Sequence, residues 1–149
     1  MNAQKGKQIS SHNYVLEVGR DEFLLYQPFT HDAEKEFAVY KDGLSEPLDL
    51  TFSKEQLNTK NALTVDEETI LFPMTLRKWK KGDHFYPTGM TGSKKVSKFF
   101  KDEKYTATQK AAQWLLCSGN DIVWIVGKRA DRRFTPSENT INLLNINLK

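Results

Sequence analysis

The sequence predicts an α+β domain, mostly antiparallel β, with one or two short helices packed on it. Three observations lead there. Short runs rich in aromatic and β-branched residues are separated by turn signals, the pattern of hairpin strands. Residues 94–104 switch to a helical period, with Val96, Phe99 and Phe100 at i, i+3 and i+4. The composition, 38% hydrophobic and 11% aromatic over 149 residues, is that of one globular domain.

In chain order, residues 1–13 are polar, hold one branched aliphatic residue (Ile9), and read as a flexible tail or linker remnant. Residues 14–18 and 22–26 read as a hairpin about Gly19-Arg20-Asp21. Residues 37–40 form a third strand closed by an Asp42-Gly43 turn. Residues 47–52 are extended, and Ser53 is placed to cap a single helical turn over 54–57. Residues 62–65, 70–72 and 76–79 read as strand pieces, and Gly82-Asp83 turns the chain. Pro87, Gly89 and Gly92 mark a loop, after which Ser93 is the expected N-cap of the helix over 94–104. A second helical stretch, 108–112, follows Thr106. Residues 114–117 and 121–126, joined by Ser118-Gly119-Asn120, give the strongest hairpin signal. Its second strand is nearly all apolar and is expected to be buried on both faces. Residues 140–148 alternate as a last strand.

Charge divides the chain. Residues 1–70 carry seven Lys/Arg against thirteen Asp/Glu, residues 71–110 ten against three, and residues 111–149 five against three. The expected organisation is a tail over 1–13, an acidic β-rich segment over 14–70 and a basic domain over 71–149, with 14–149 able to form one compact unit. A single cysteine excludes an internal disulfide, and three scattered histidines have no metal-binding spacing. No apolar run reaches the roughly 18 residues of a membrane span, and the start lacks a signal-peptide core. A cytoplasmic location is expected.

No catalytic centre is visible. Gly89 to Lys95 lacks the GxxxxGK[ST] spacing of a phosphate loop. Cys117 sits in an apolar strand and reads as a core thiol. Asp66-Glu67-Glu68 reads as a solvated turn. His12, His31 and His84 are too dispersed for a triad. What remains is basic residues interleaved with aromatics, at 77–81 and 94–101. Lysine and arginine supply phosphate contacts that position a nucleic acid without reading its sequence. Trp79 or an exposed Phe is suited to stacking on a splayed base, although Phe99 and Phe100 at helical spacing are assigned to the core. Lys94, Lys98 and Lys101 fall opposite those rings as an outward stripe.

The stretch from Leu76 through Arg77, Trp79, Gly82-Asp83 and Phe85 to Pro87-Thr88-Gly89-Met90 resembles the opening of the C-terminal domain of the tRNA(Ile)-lysidine synthetase family. Gly92-Ser93-Lys94-Lys95-Val96 followed by Phe99-Phe100 is similar to that family's lysine-rich helix, with Val96 where leucine is usual. Trp124 to Gly127, then Arg129, Asp131, Arg133 and Phe134, resembles its closing stretch. The likeness covers residues 72–140 and implies a small sandwich-like β fold with helices, which grasps tRNA at the acceptor stem. The parent enzyme converts the wobble cytidine of tRNA(Ile) to lysidine, using ATP and lysine in an upstream catalytic domain. The Ser-Gly-Gly-x-Asp-Ser loop of that domain is missing here, so the resemblance implies a chain that needs no cofactor and does not catalyse alone.

Its implied partners are tRNA and the catalytic domain. Phosphate contacts are expected from Arg77, Lys80, Lys81, Lys94, Lys95, Lys98, Lys101, Arg129 and Arg133. Arg129, Asp131 and Arg133 alternatively form an internal ion-pair network, the role favoured for Asp131. A second reading is a protein-interaction or interdomain docking module, in which the acidic half docks another protein or the basic half without RNA.

Overall fold

A computed structural model of the chain describes residues 8–11, 14–18, 23–26, 35–55 and 61–149. They fall into two units, Met1–Lys35 and Glu36–Lys149. In the first, β1 (Gln8–Ser11), β2 (Tyr14–Val18) and β3 (Phe23–Tyr26) form an antiparallel sheet in chain order. β2 and β3 are the expected hairpin; its Gly19-Arg20-Asp21 turn lies outside the described residues, as do His12 and His31. β1 differs from the tail expected over 1–13, because Gln8 to Ser11 pair with Glu17 to Tyr14. A polar strand shows no hydrophobic period, yet its backbone N–H and C=O groups still pair with a neighbour.

The second unit contains β4 (Phe37–Val39), β5 (Leu50–Ser53), β6 (Ala62–Asp66), β7 (Met74–Lys78), β8 (His84–Phe85) and β9 (Lys94–Lys95). α1 (Val96–Asp102) and α2 (Ala107–Ala112) follow, then β10 (Trp114–Ser118), β11 (Asp121–Ile125), β12 (Arg129–Ala130) and β13 (Leu143–Leu148). A five-stranded antiparallel sheet runs β12-β11-β10-β7-β4, a three-stranded one runs β5-β13-β6, and β8 pairs with β9 as a separate ribbon. This is the mostly antiparallel α+β architecture that the sequence predicts. Strands from both the acidic and the basic stretch contribute to each of the two larger sheets.

The five-stranded sheet is buried on both faces. Met74, Leu76, Leu116 and Trp124 face Leu50, Val65, Leu144 and Ile146 of the other sheet, which is a sandwich core. Leu115, Cys117, Ile122 and Ile125 on the opposite face pack beneath Phe85, Val96, Phe99 and Phe100. A bulge between Leu116 and Cys117 sets Cys117 opposite Ile122 while Leu116 stays opposite Trp124. The extra residue, Val123, lets Val123 and Trp124 both reach the sandwich core. That is why strict alternation fails along this strand. Gly43 closes the turn after β4 at φ +96°, and a Cβ there would lie 2.4 Å from the Leu50 carbonyl oxygen.

Other boundaries move for tertiary reasons. Residues 70–72 are not a strand: after a 3₁₀ turn over Glu67–Thr69, capped by the Asp66 side chain, the Leu71 N–H donates to Ser118 Oγ at 2.9 Å. Ser53 ends β5 and accepts from the Glu55 N–H at 3.0 Å, which is a local turn; the far end of the helical turn expected over 54–57 lies outside the described residues. Ser93 does not cap α1, since Lys94 and Lys95 pair with Phe85 and His84, and the helix begins at Val96. β13 starts at Leu143 because the Thr140 hydroxyl is held by Asp66, to which it donates at 3.0 Å. α2 does follow Thr106, and the structure adds a cap there: the Thr106 side chain and Gln109 form a capping box.

Candidate nucleic-acid interface

The basic block is built outward from an internal ion pair. Arg77 on β7 reaches Asp83 with both terminal nitrogens, at 2.9 and 3.0 Å, and the Lys80 N–H donates to the same carboxylate at 2.6 Å. Burial alone would raise the Asp83 pKa, but Arg77 and the Lys80 N–H hold it below the ordinary value. The Asp83 carbonyl then accepts from the Val96 N–H at 2.9 Å, which fixes the Lys80-Lys81-Gly82 turn against the start of α1. Arg77, expected to touch phosphate, is thus mostly buried and spent on Asp83, with its side chain 12% exposed. Asp83 contributes stability above its unfolded pKa of about 4, lost as pH falls through the depressed folded value. Unfolding titrations of Asp83→Asn should therefore show a deficit at pH 7 that shrinks below about pH 4. An unchanged gap at pH 3 would remove Asp83 from this role.

α1 is anchored by Val96, Phe99 and Phe100, all buried, and presents Lys98 and Lys101 to solvent. Trp79, considered above for base stacking, packs edge-on against Phe100 with centroids 5.3 Å apart. Lys94 is on β9 and not on the helix, so the expected helical stripe of Lys94, Lys98 and Lys101 is corrected. Lys94 and Lys98 nevertheless meet at one carboxylate, Asp102, at 2.6 and 3.1 Å. Those two bonds, Lys94 first, lower the Asp102 pKa. Lys80 is exposed and pairs with exposed Glu36 at 3.2 Å, a contact of the weak surface kind. Lys81, Lys95 and Lys101 are exposed and have no ion-pair partner among the described residues. Lys78 lies 3.8 Å from the centroid of the Trp114 ring, and burial lowers its pKa.

Beyond the ribbon lies an arginine arm, residues 129–133. Asp131 is fully buried and accepts from the Tyr86 N–H at 2.9 Å, the Arg133 N–H at 2.8 Å, and Arg133 Nε and Nη2 at 3.0 and 2.9 Å. That hydrogen-bonding raises the Arg133 pKa, and the guanidinium also lies 4.2 Å from the Tyr86 ring centroid. The internal network foreseen for Asp131 and Arg133 is therefore present. Arg129 stands outside it and donates instead to the Thr88 carbonyl at 2.6 Å. Arg132 and Tyr86 are the partners that residue type alone missed; the signal was Tyr86 standing directly before Pro87 within the Phe85-to-Met90 motif.

Among the described residues no cluster of three or more His, Cys, Asp or Glu side chains is placed to hold a metal. No helix among them is long and apolar enough to cross a membrane. Cys117 is buried, and burial pushes its thiol up to about 11, so it stays protonated.

Residues 74–146 match the family described as the TilS substrate C-terminal domain. The chain is 43% identical over 109 residues to the tRNA(Ile)-lysidine synthase of Parabacteroides distasonis, an overlap covering 68% of this chain and 25% of that protein. It is 34% identical over 140 residues to the tRNA(Ile)-lysidine synthase of Bacteroides thetaiotaomicron, covering 94% of this chain and 32% of the relative. The chain thus spans a quarter to a third of the length of these relatives. A solved structure of a TILS C-terminal domain superposes with a TM-score of 0.58 at 15% identity, over 68% of this chain and 82% of that one; this likeness shows the fold. The motifs around Trp79, Lys94 and Asp131 lie inside the matched span, and the chain belongs to the tRNA(Ile)-lysidine synthetase family, as a TilS C-terminal domain.

Proposed function

We propose that this chain is the tRNA-grasping portion of a tRNA(Ile)-lysidine synthetase, the ATP-dependent ligase that converts the wobble cytidine of tRNA(Ile) to lysidine in the cytoplasm. In this reading it holds tRNA, at the acceptor stem, through phosphates. ATP and lysine are handled by the catalytic domain of the longer protein, and this chain alone does not modify tRNA. The supporting observation is the convergence of exposed lysines from three elements. The Asp83–Val96 hydrogen bond joins the turn that carries Lys80 and Lys81 to the start of α1, which follows Lys95 and carries Lys98 and Lys101, and Lys94 meets Lys98 at Asp102. A surface of this kind reads charge and shape, not base identity.

Each lysine–phosphate contact releases condensed counterions, so its removal reduces the log–log salt slope of binding by roughly 0.7–0.9. Lys95→Ala with Lys101→Ala should weaken tRNA binding at low salt and shrink the slope by about 1.4–1.8, while thermal stability changes little. Wild-type affinity and slope in this variant would make these lysines a solvated face.

A further inference from the structure

The loop over residues 88–93 lies in the connection between the two strands of the β8–β9 ribbon and is tied down at both ends by guanidinium groups. Arg129 Nη2 donates to the Thr88 carbonyl at 2.6 Å, and Arg132 Nη1 donates to the Gly92 carbonyl at 2.8 Å. The arm that carries them is itself registered on the ribbon. The Thr88 N–H donates to the Ala130 carbonyl, the Arg132 N–H donates to the Tyr86 carbonyl, and buried Asp131 bonds the Tyr86 N–H. Between the tethers the loop turns at Gly89 and Gly92, both at positive φ, and exposes Met90. A long hydrogen bond, from the Met90 N–H to the Pro87 carbonyl at 3.3 Å, ties it to the residue before it.

We propose that Arg129 and Arg132 are positioning residues: they hold the 88–93 loop in one conformation beside the lysines, so that tRNA meets a preformed surface, and they do not act on phosphate. The proposal rests on the tRNA-binding reading above and alters the role expected for Arg129. Its physical content is preorganisation. A loop fixed in the free protein pays no ordering cost when the ligand arrives. Each guanidinium directs a donor into the protein, at a carbonyl, and Arg132 also lies 5.1 Å from the Tyr86 ring centroid.

The test uses the whole chain carrying Arg129→Ala and Arg132→Ala together, with Arg132→Ala alone should the pair fail to fold. Amide hydrogen exchange across 88–93 and tRNA affinity as a function of salt are measured for each, beside the Lys95/Lys101 pair. Faster exchange in the loop is expected, with a roughly tenfold loss of affinity at an unchanged salt slope. Unchanged loop protection would overturn the positioning role. So would a slope reduced by about 0.7–0.9 per arginine, because that is the signature of a phosphate contact. If the unaltered chain does not bind tRNA, the underlying functional reading fails, and the exchange data decide separately whether the arginines clamp the loop.

Discussion

Replacing Phe100 by alanine is expected to destabilise the chain by about 3–5 kcal/mol, the usual cost of emptying an aromatic core site. The ring is fully buried and touches three other aromatic rings: Tyr105 stacked at 4.7 Å, Trp79 edge-on at 5.3 Å and Phe99 at 6.1 Å. α1 has only seven residues and no side-chain N-cap bond. A helix this short does not persist alone, so its three buried side chains are what hold it to the sheet. Losing Phe100 also loosens the segment that carries Lys98 and Lys101, which links core packing to the basic surface. Denaturant unfolding checks the magnitude, with Lys101→Ala as a surface control within about 0.5 kcal/mol. A loss below about 1 kcal/mol for Phe100→Ala would place the ring outside the core.

The second large effect is at Asp131. Its carboxylate accepts from two backbone N–H groups and from the Arg133 guanidinium, with no access to solvent. Alanine there leaves the Tyr86 and Arg133 N–H groups without their acceptor, at about 1–3 kcal/mol for each group left unsatisfied. Arg133 is partly exposed and regains water, so its share is smaller. A total of about 4 kcal/mol is expected, the middle of the roughly 2–6 kcal/mol range for two groups. Asparagine at this position is no rescue, because its NH2 turns a donor toward donors. Asp131→Asn should therefore recover less than half of the loss. Full stability in Asp131→Asn would show that charge and acceptor number at this site are unimportant.

How legible these features are in the sequence depends on whether a local or a distant partner decides them. The hairpin of β10 and β11 is legible because two apolar runs flank a Gly119-Asn120 turn, which is local information. The inward face of α1 is legible from the spacing of Val96, Phe99 and Phe100. Its start is not, since Lys94 and Lys95 are claimed by Phe85 and His84 through strand pairing across the intervening loop. Leu71 fails as a strand residue for the same reason: its N–H goes to Ser118, 47 residues away. In the candidate site, residue type indicates a cation but not what it faces. Arg77 and Lys95 look alike in sequence, yet one is sequestered by Asp83 and the other is open. The Gly82-Asp83 turn after Arg77 was the available clue, since a carboxylate six residues on can return to a strand arginine.

The grip proposed for this chain on tRNA is through phosphates. Equilibrium binding of the unaltered chain to folded tRNAs of different sequence, followed over a salt series, tests it most directly. With roughly three to five lysines engaged at about 0.7–0.9 per contact, a log–log slope of about −2 to −4.5 is expected, the same for each tRNA. Absence of binding even at low salt would contradict it and favour docking of the acidic stretch, of which the Lys80–Glu36 pair would then be a part.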